Sequence, residues 1–146
     1  MSFTLDTNIL IYSADRSDAS KHALAERLIA RLVQRRGAIP LQRLNEFYRA
    51  TTKKRLLTKA EASAIVERLL LSVNTIASSA SDSREAMRIH DAHTTQYFDA
   101  LLLATSTRAG CTIFLSEDLQ DGQTFGALTV RNPFKLTQAE LTILLT

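Results

Sequence analysis

Short apolar segments of strand length alternate with longer amphipathic segments along the whole of this chain, an order that few architectures accommodate. "FTLD" reads as a buried strand, and a short apolar helix follows from Asn8 to Tyr12. "SKHALAERLIARLVQRRG" repeats Leu24, Leu28 and Leu32 beside Ala25, Ile29 and Val33, the spacing of an amphipathic helix closed by Gly37. "AIPL" is a second strand candidate, and "QRLNEFYRATTKKR" a helix with Leu44, Phe47, Tyr48 and Thr51 inward. Thr58 with Glu61 forms a capping box that opens a helix to about Leu71. "SVNTIA" reads as a strand, residues 81–93 as a helix, and "TIFL" and "ALTV" as later strands separated by the polar loop "SEDLQDG". Thr137 and Glu140 cap a last short helix.

Such alternation predicts an α/β fold, a three-layer α/β/α sandwich with a mostly parallel central sheet of four to five strands. The 146 residues are expected to form one domain, 1–146. Ligands of a parallel sheet bind beyond the carboxyl ends of its strands, which directs the search for chemistry there.

The stretch "TTQYFDALLLATSTRAGC" carries an anomaly at its centre. Tyr97, Phe98, Ala100, Leu101, Leu102, Leu103 and Ala104 surround Asp99, so the helix has no polar stripe for that carboxylate. Burying an isolated carboxylate is costly, and the first-turn dipole offsets only roughly 0.3–1 kcal/mol. A metal ion facing a cleft, a helix cap or a buried arginine would each account for it. Asp6 ends the first strand, and Asp118 follows "TIFL" with Glu117 and Asp121 beside it. Glu46 lies near the start of its helix; spacing alone reads it as an exposed partner of Arg49. Carboxylates gathered at one sheet edge raise each other's pKa values, and a divalent cation reverses that balance. Mg²⁺ and Mn²⁺ take such oxygen ligands.

The chain resembles the PIN-domain family, specifically the VapC-type toxin ribonucleases of bacterial toxin–antitoxin pairs. "LDTNILIY", "NEF", "YFDALLLATSTRAGC" and "IFLSEDLQDG" carry the resemblance in that order, and "ALTVRNPF" looks like the family's last strand. The resemblance implies a metal-dependent endoribonuclease that hydrolyses RNA phosphodiesters with Mg²⁺ or Mn²⁺. Its acidic site falls on Asp6, Glu46, Asp99 and Asp118, with Asp121 as the alternate for the last. Asn8 and Ser116 are expected to orient those ligands. Arg43, Arg49, Lys53 and Lys54 are expected to hold the RNA backbone. A homodimer and a small antitoxin protein are implied as partners.

Charge agrees with a polyanionic substrate. The formal net charge is +3, yet residues 21–59 hold eleven Lys and Arg against Glu26 and Glu46. Solvated helix faces give the same pattern, so charge alone does not decide. No apolar run reaches the roughly 20 residues of a membrane span, and no leader pattern precedes "FTLD". The single Cys111 reads as a small buried residue, and the expected compartment is a reducing cytoplasm.

Other readings are less well supported. A haloacid-dehalogenase-type phosphatase needs a second Asp two positions after the first, where this chain has Asn8. A catalytically inactive PIN-like module that binds RNA or protein is the non-enzymatic alternative, against which all four acids stand. His90 and His93 lack the H-E-x-x-H arrangement of zinc hydrolases, and His22 stands alone.

Overall fold

The computed structural model describes residues 2–146. Strand β1 (Phe3–Leu5) leads into α1 (Thr7–Tyr12) and α2 (Ala19–Gln34). Strand β2 (Ala38–Pro40) leads into α3 (Leu41–Lys53), α4 (Lys59–Ser72) and β3 (Asn74–Ile76). The helices α5 (Ala80–Ala92) and α6 (Tyr97–Arg108) precede β4 (Ile113–Leu115), β5 (Thr124–Phe125) and β6 (Leu128–Arg131). A 3₁₀ turn, Pro133–Lys135, and α7 (Gln138–Leu145) complete the described residues.

The strands assemble as an α/β sandwich with a mostly parallel sheet. β1, β4 and β6 are parallel, in the order β1-β4-β6-β5. β2 and β3 form a separate parallel pair, with β2 packed beside β1. The two-residue strand β5 lies between the polar loop "SEDLQDG" and "ALTV", where no element is expected. It folds antiparallel onto β6 through a two-residue turn at Gly126, whose φ of 62° suits glycine.

Adjacent side chains of β4 show why helices cover both faces. Phe114 packs with Ala86 and Ile89 of α5 and Ala100 and Leu103 of α6. Leu115 packs on the other side with Ile9 of α1, Leu28 and Leu32 of α2, and Leu44 and Phe47 of α3. Period-two alternation therefore sends one strand into two cores. Cys111 is buried in the first of them, and burial pushes its thiol up.

Three helices begin with full capping boxes, Thr58–Glu61, Ser79–Asp82 and Thr137–Glu140. The middle one also locks α5 to α6. Asp82 is 3% exposed, caps α5 through Ser79 N (2.9 Å), and takes two hydrogen bonds at 2.9 Å from Arg108 Nε and Nη2. Thr105 Oγ1 donates to the same carboxylate at 3.2 Å. Burial pushes the Asp82 pKa up, but these bonds and the Arg108 charge outweigh it and leave the pKa lowered. A depressed folded-state pKa gives stability that is complete above the unfolded value of about 4 and drains as pH falls through the folded value. Urea denaturation measured between neutral and acid pH should therefore show an acid limb that flattens in Asp82→Asn. An unchanged limb would remove Asp82 as its source.

Candidate metal centre

Four acids separated by up to 112 positions line one cleft of about 310 Å³. Asp6 follows β1 and caps α1: Thr7 N donates to its Oδ1 at 2.7 Å. Its other oxygen accepts from the fully buried Ser116 hydroxyl at 2.8 Å. The same hydroxyl oxygen accepts from the backbone N–H of Asp118 (3.1 Å) and of Leu119 (3.2 Å). One hydroxyl thus ties the ends of β1 and β4 together and turns the following loop toward the cleft.

Asp118 projects from that loop, and Asn8 Nδ2 donates to its Oδ2. Asn8 stands where a phosphatase of the rejected class would hold its second acid, and here it orients a carboxylate. Asp121, the alternate, faces away. Its carboxylate accepts from Asn132 N at 2.9 Å and Arg131 Nε at 3.2 Å, and it does not line the cleft. Glu117 is likewise occupied, by Lys21 Nζ at 2.6 Å and Tyr12 Oη at 2.7 Å. Of the loop's acids, only Asp118 reaches the cleft.

Glu46 departs from the expected pairing with Arg49. Its carboxylate accepts from Thr7 Oγ1 (2.7 Å), Gln42 Nε2 (2.8 Å) and Arg43 Nη1 (3.0 Å). Burial pushes its pKa up, but the Thr7 hydroxyl and the Arg43 charge outweigh this and hold it below the usual value. Gln42 shares a helix face with Glu46 by spacing alone, whereas the role of Thr7 has no signal beyond its place between Asp6 and Asn8 at a strand end.

Asp99 sits in the first turn of α6, half-buried, and answers its anomaly by facing the cleft. Burial raises its pKa first, and the charges of Asp6, Glu46 and Asp118 push it further up against the opposing pull of Arg43. Asp118 is raised by burial, Asp6 and Glu117, with Asn8 and Arg43 opposing. Two of the four acids are therefore held above their usual pKa, by burial first and by neighbouring carboxylates second.

The basic residues divide. Arg49 and Lys54 line the cleft and are exposed; Lys53 is exposed but outside it. Arg43, expected among the RNA contacts, is only 4% exposed. That expectation is corrected, because α3 turns Arg43 inward beside buried Leu44, under the carboxylates rather than toward solvent.

The donor set fits a hydrated divalent cation. Oxygen ligands predominate, burial and neighbouring carboxylates disfavour the ionised forms of Asp99 and Asp118, and the cleft is open to water. Among the described residues no three His, Cys, Asp or Glu side chains close on a common point. A cation in this cleft would therefore have to draw on one or two carboxylates and on water.

A mostly parallel sheet with carboxylates gathered beyond its first and fourth strands defines an acidic-cleft α/β protein. The PIN domain family model matches residues 3–120, and the chain belongs to that family. Among solved structures, Mycobacterium tuberculosis VapC20, titled a Sarcin-Ricin loop cleaving toxin, shares the fold with a TM-score of 0.59. Identity is 19%, over 80% of this chain and 92% of that one. No curated protein sequence matches significantly. Among the described residues no helix is long and apolar enough to cross a membrane.

Proposed function

We propose that this protein is a Mg²⁺- or Mn²⁺-dependent endoribonuclease, the toxin of a toxin–antitoxin pair, acting in the cytoplasm on RNA. The observation that carries this reading is the convergence of Asp6, Glu46, Asp99 and Asp118 on one cleft rimmed by Arg49 and Lys54. Membership in the PIN family and the shared fold of a toxin described as cleaving the Sarcin-Ricin loop support it.

Asp99 and Asp118 would be the principal holders of the cation, with Asp6, already tied by Thr7 N, Ser116 and Arg43, beside them. When bound, the ion supplies Lewis acidity toward the phosphodiester and lowers the pKa of water. Ser116 and Thr7 N fix the Asp6 carboxylate, so the site is aligned before substrate arrives. Glu46, kept ionised by Thr7 and Arg43, accepts a hydrogen bond from the attacking water and orients it. Arg49 and Lys54 neutralise phosphates on either side of the scissile bond. The toxin assignment brings a small antitoxin that covers the cleft and a second copy of the chain as partners.

Purified chain, freed of any partner, should cleave RNA with Mg²⁺ or Mn²⁺ and stop on addition of EDTA. Cleavage that survives EDTA, or none with either metal, would overturn the reading; the second outcome would favour a binding module. Arg49→Ala with Lys54→Ala should also reduce the log–log salt slope of RNA binding by roughly 1.4, at about 0.7 per phosphate contact. An unchanged slope would place the backbone contacts elsewhere.

A further inference from the structure

Arg43 is the only buried Lys or Arg among the described residues, and it lies under the acidic cleft. Such residues are almost never fully buried unless paired. Its Nη1 is 3.2 Å from Asp6 Oδ1 and 3.0 Å from Glu46 Oε2, and its Nη2 is 3.9 Å from Asp99 Oδ1. Carboxylates from the end of β1, from α3 and from α6 therefore meet on a single guanidinium. Thr7 Oγ1 accepts from Nη1 at 3.2 Å, and the Phe114 ring lies 5.8 Å from Arg43 Cζ. Yet Nε and Nη2, both buried, have no acceptor within hydrogen-bond distance.

A side chain held this deep with two donors unanswered is not placed for its hydrogen bonds alone. What it supplies is a fixed positive charge at the point where the acids crowd. A divalent cation drawing on Asp6 Oδ1 and Glu46 Oε2 would compete with Nη1 for lone pairs already in use and meet a like charge. Asp118, in contrast, is held by Asn8 rather than by Arg43, and Asp99 is 3.9 Å away, beyond hydrogen-bond reach. The carboxylate oxygens with the most free capacity thus lie on the Asp99–Asp118 side.

We propose that Arg43 is a built-in counter-cation that takes the place of a second divalent ion, so that the cleft binds one ion, from the Asp99–Asp118 side, and binds it weakly. This rests on the cleft being a metal site, as in the proposed function. Arg43 also holds the acids together in the metal-free protein, so the site is assembled before the ion arrives. Arginine suits the task because its guanidinium stays protonated at any working pH and its fork reaches several carboxylates at once.

Mn²⁺ binding, followed by electron paramagnetic resonance and calorimetry on the full chain, tests this without any activity assay. The wild type should bind one Mn²⁺. Arg43→Met, which keeps the length and removes the charge, should bind the first ion about tenfold or more tightly or gain a second. Arg43→Lys, which keeps the charge, should stay close to the wild type. If Arg43→Met is unfolded in EDTA, Mn²⁺ should restore its circular dichroism at concentrations that leave the wild type unchanged. Failure of Mn²⁺ to restore it would overturn the inference, as would two ions in the wild type. Equal binding by wild type and Arg43→Met, with metal-dependent cleavage intact, would overturn the inference alone. Absence of binding in both proteins would remove the metal reading along with it.

Discussion

Asp99→Asn should reduce RNA cleavage by roughly 100-fold or more, the scale of losing one preorganised electrostatic group from an active site. The same substitution should leave the fold intact and slightly raise the melting temperature in EDTA. The sign follows from crowding. Burial and the charges of Asp6, Glu46 and Asp118 raise the Asp99 pKa, so its ionised form is disfavoured in the folded protein. An acid with a raised folded-state pKa stabilises while protonated, and that contribution is lost as pH rises through the folded value. Asparagine removes the neutral-pH cost permanently. The check is a pair of measurements on one preparation, cleavage rate with Mn²⁺ and thermal unfolding in EDTA. Full activity in Asp99→Asn, or loss of stability of several degrees, would contradict the role assigned to it.

Phe114→Ala should cost about 3–5 kcal/mol, the range for removing a buried aromatic side chain. Phe114 is fully buried at the centre of β4, between Thr4 and Val130 of the neighbouring strands. It fills the core shared with α5 and α6 and lies beneath the Arg43 guanidinium. For a domain of this length, at about 2–4 °C per kcal/mol, the melting temperature should fall by on the order of 10 °C. Phe114→Leu should cost far less, because it keeps most of the buried volume. Thermal unfolding of both variants measures this directly. A shift below about 3 °C for alanine would mean that the core on this face collapses around the gap.

Much of this architecture was legible in the residues. The Leu24–Leu28–Leu32 ladder, the Thr58–Glu61 and Thr137–Glu140 boxes and the short segments "FTLD" and "TIFL" are local signals, and the elements formed where they lay. Asp99 was conspicuous for the same reason: its surroundings are set by its own helix. Contacts between distant segments were not legible. Helix spacing offers Glu46 both Arg43 and Arg49, at i−3 and i+3, and only Thr7, 39 positions away, decides between them. Asp118 and Asp121 look alike in "SEDLQDG" until Arg131 and the Asn132 backbone claim the second. Arg43 read as part of a basic surface because charge counts carry no depth; its burial depends on how α3 meets β1 and α6. Strand β5 escaped notice because two residues hold no periodicity.

The most direct measurement is an anomalous difference map from crystals soaked in Mn²⁺. The account predicts a single peak in the cleft, within coordination distance of a carboxylate oxygen of Asp99 and on the side away from Arg43. A map with no peak beside Asp6, Asp99 or Asp118 at saturating Mn²⁺ would contradict it.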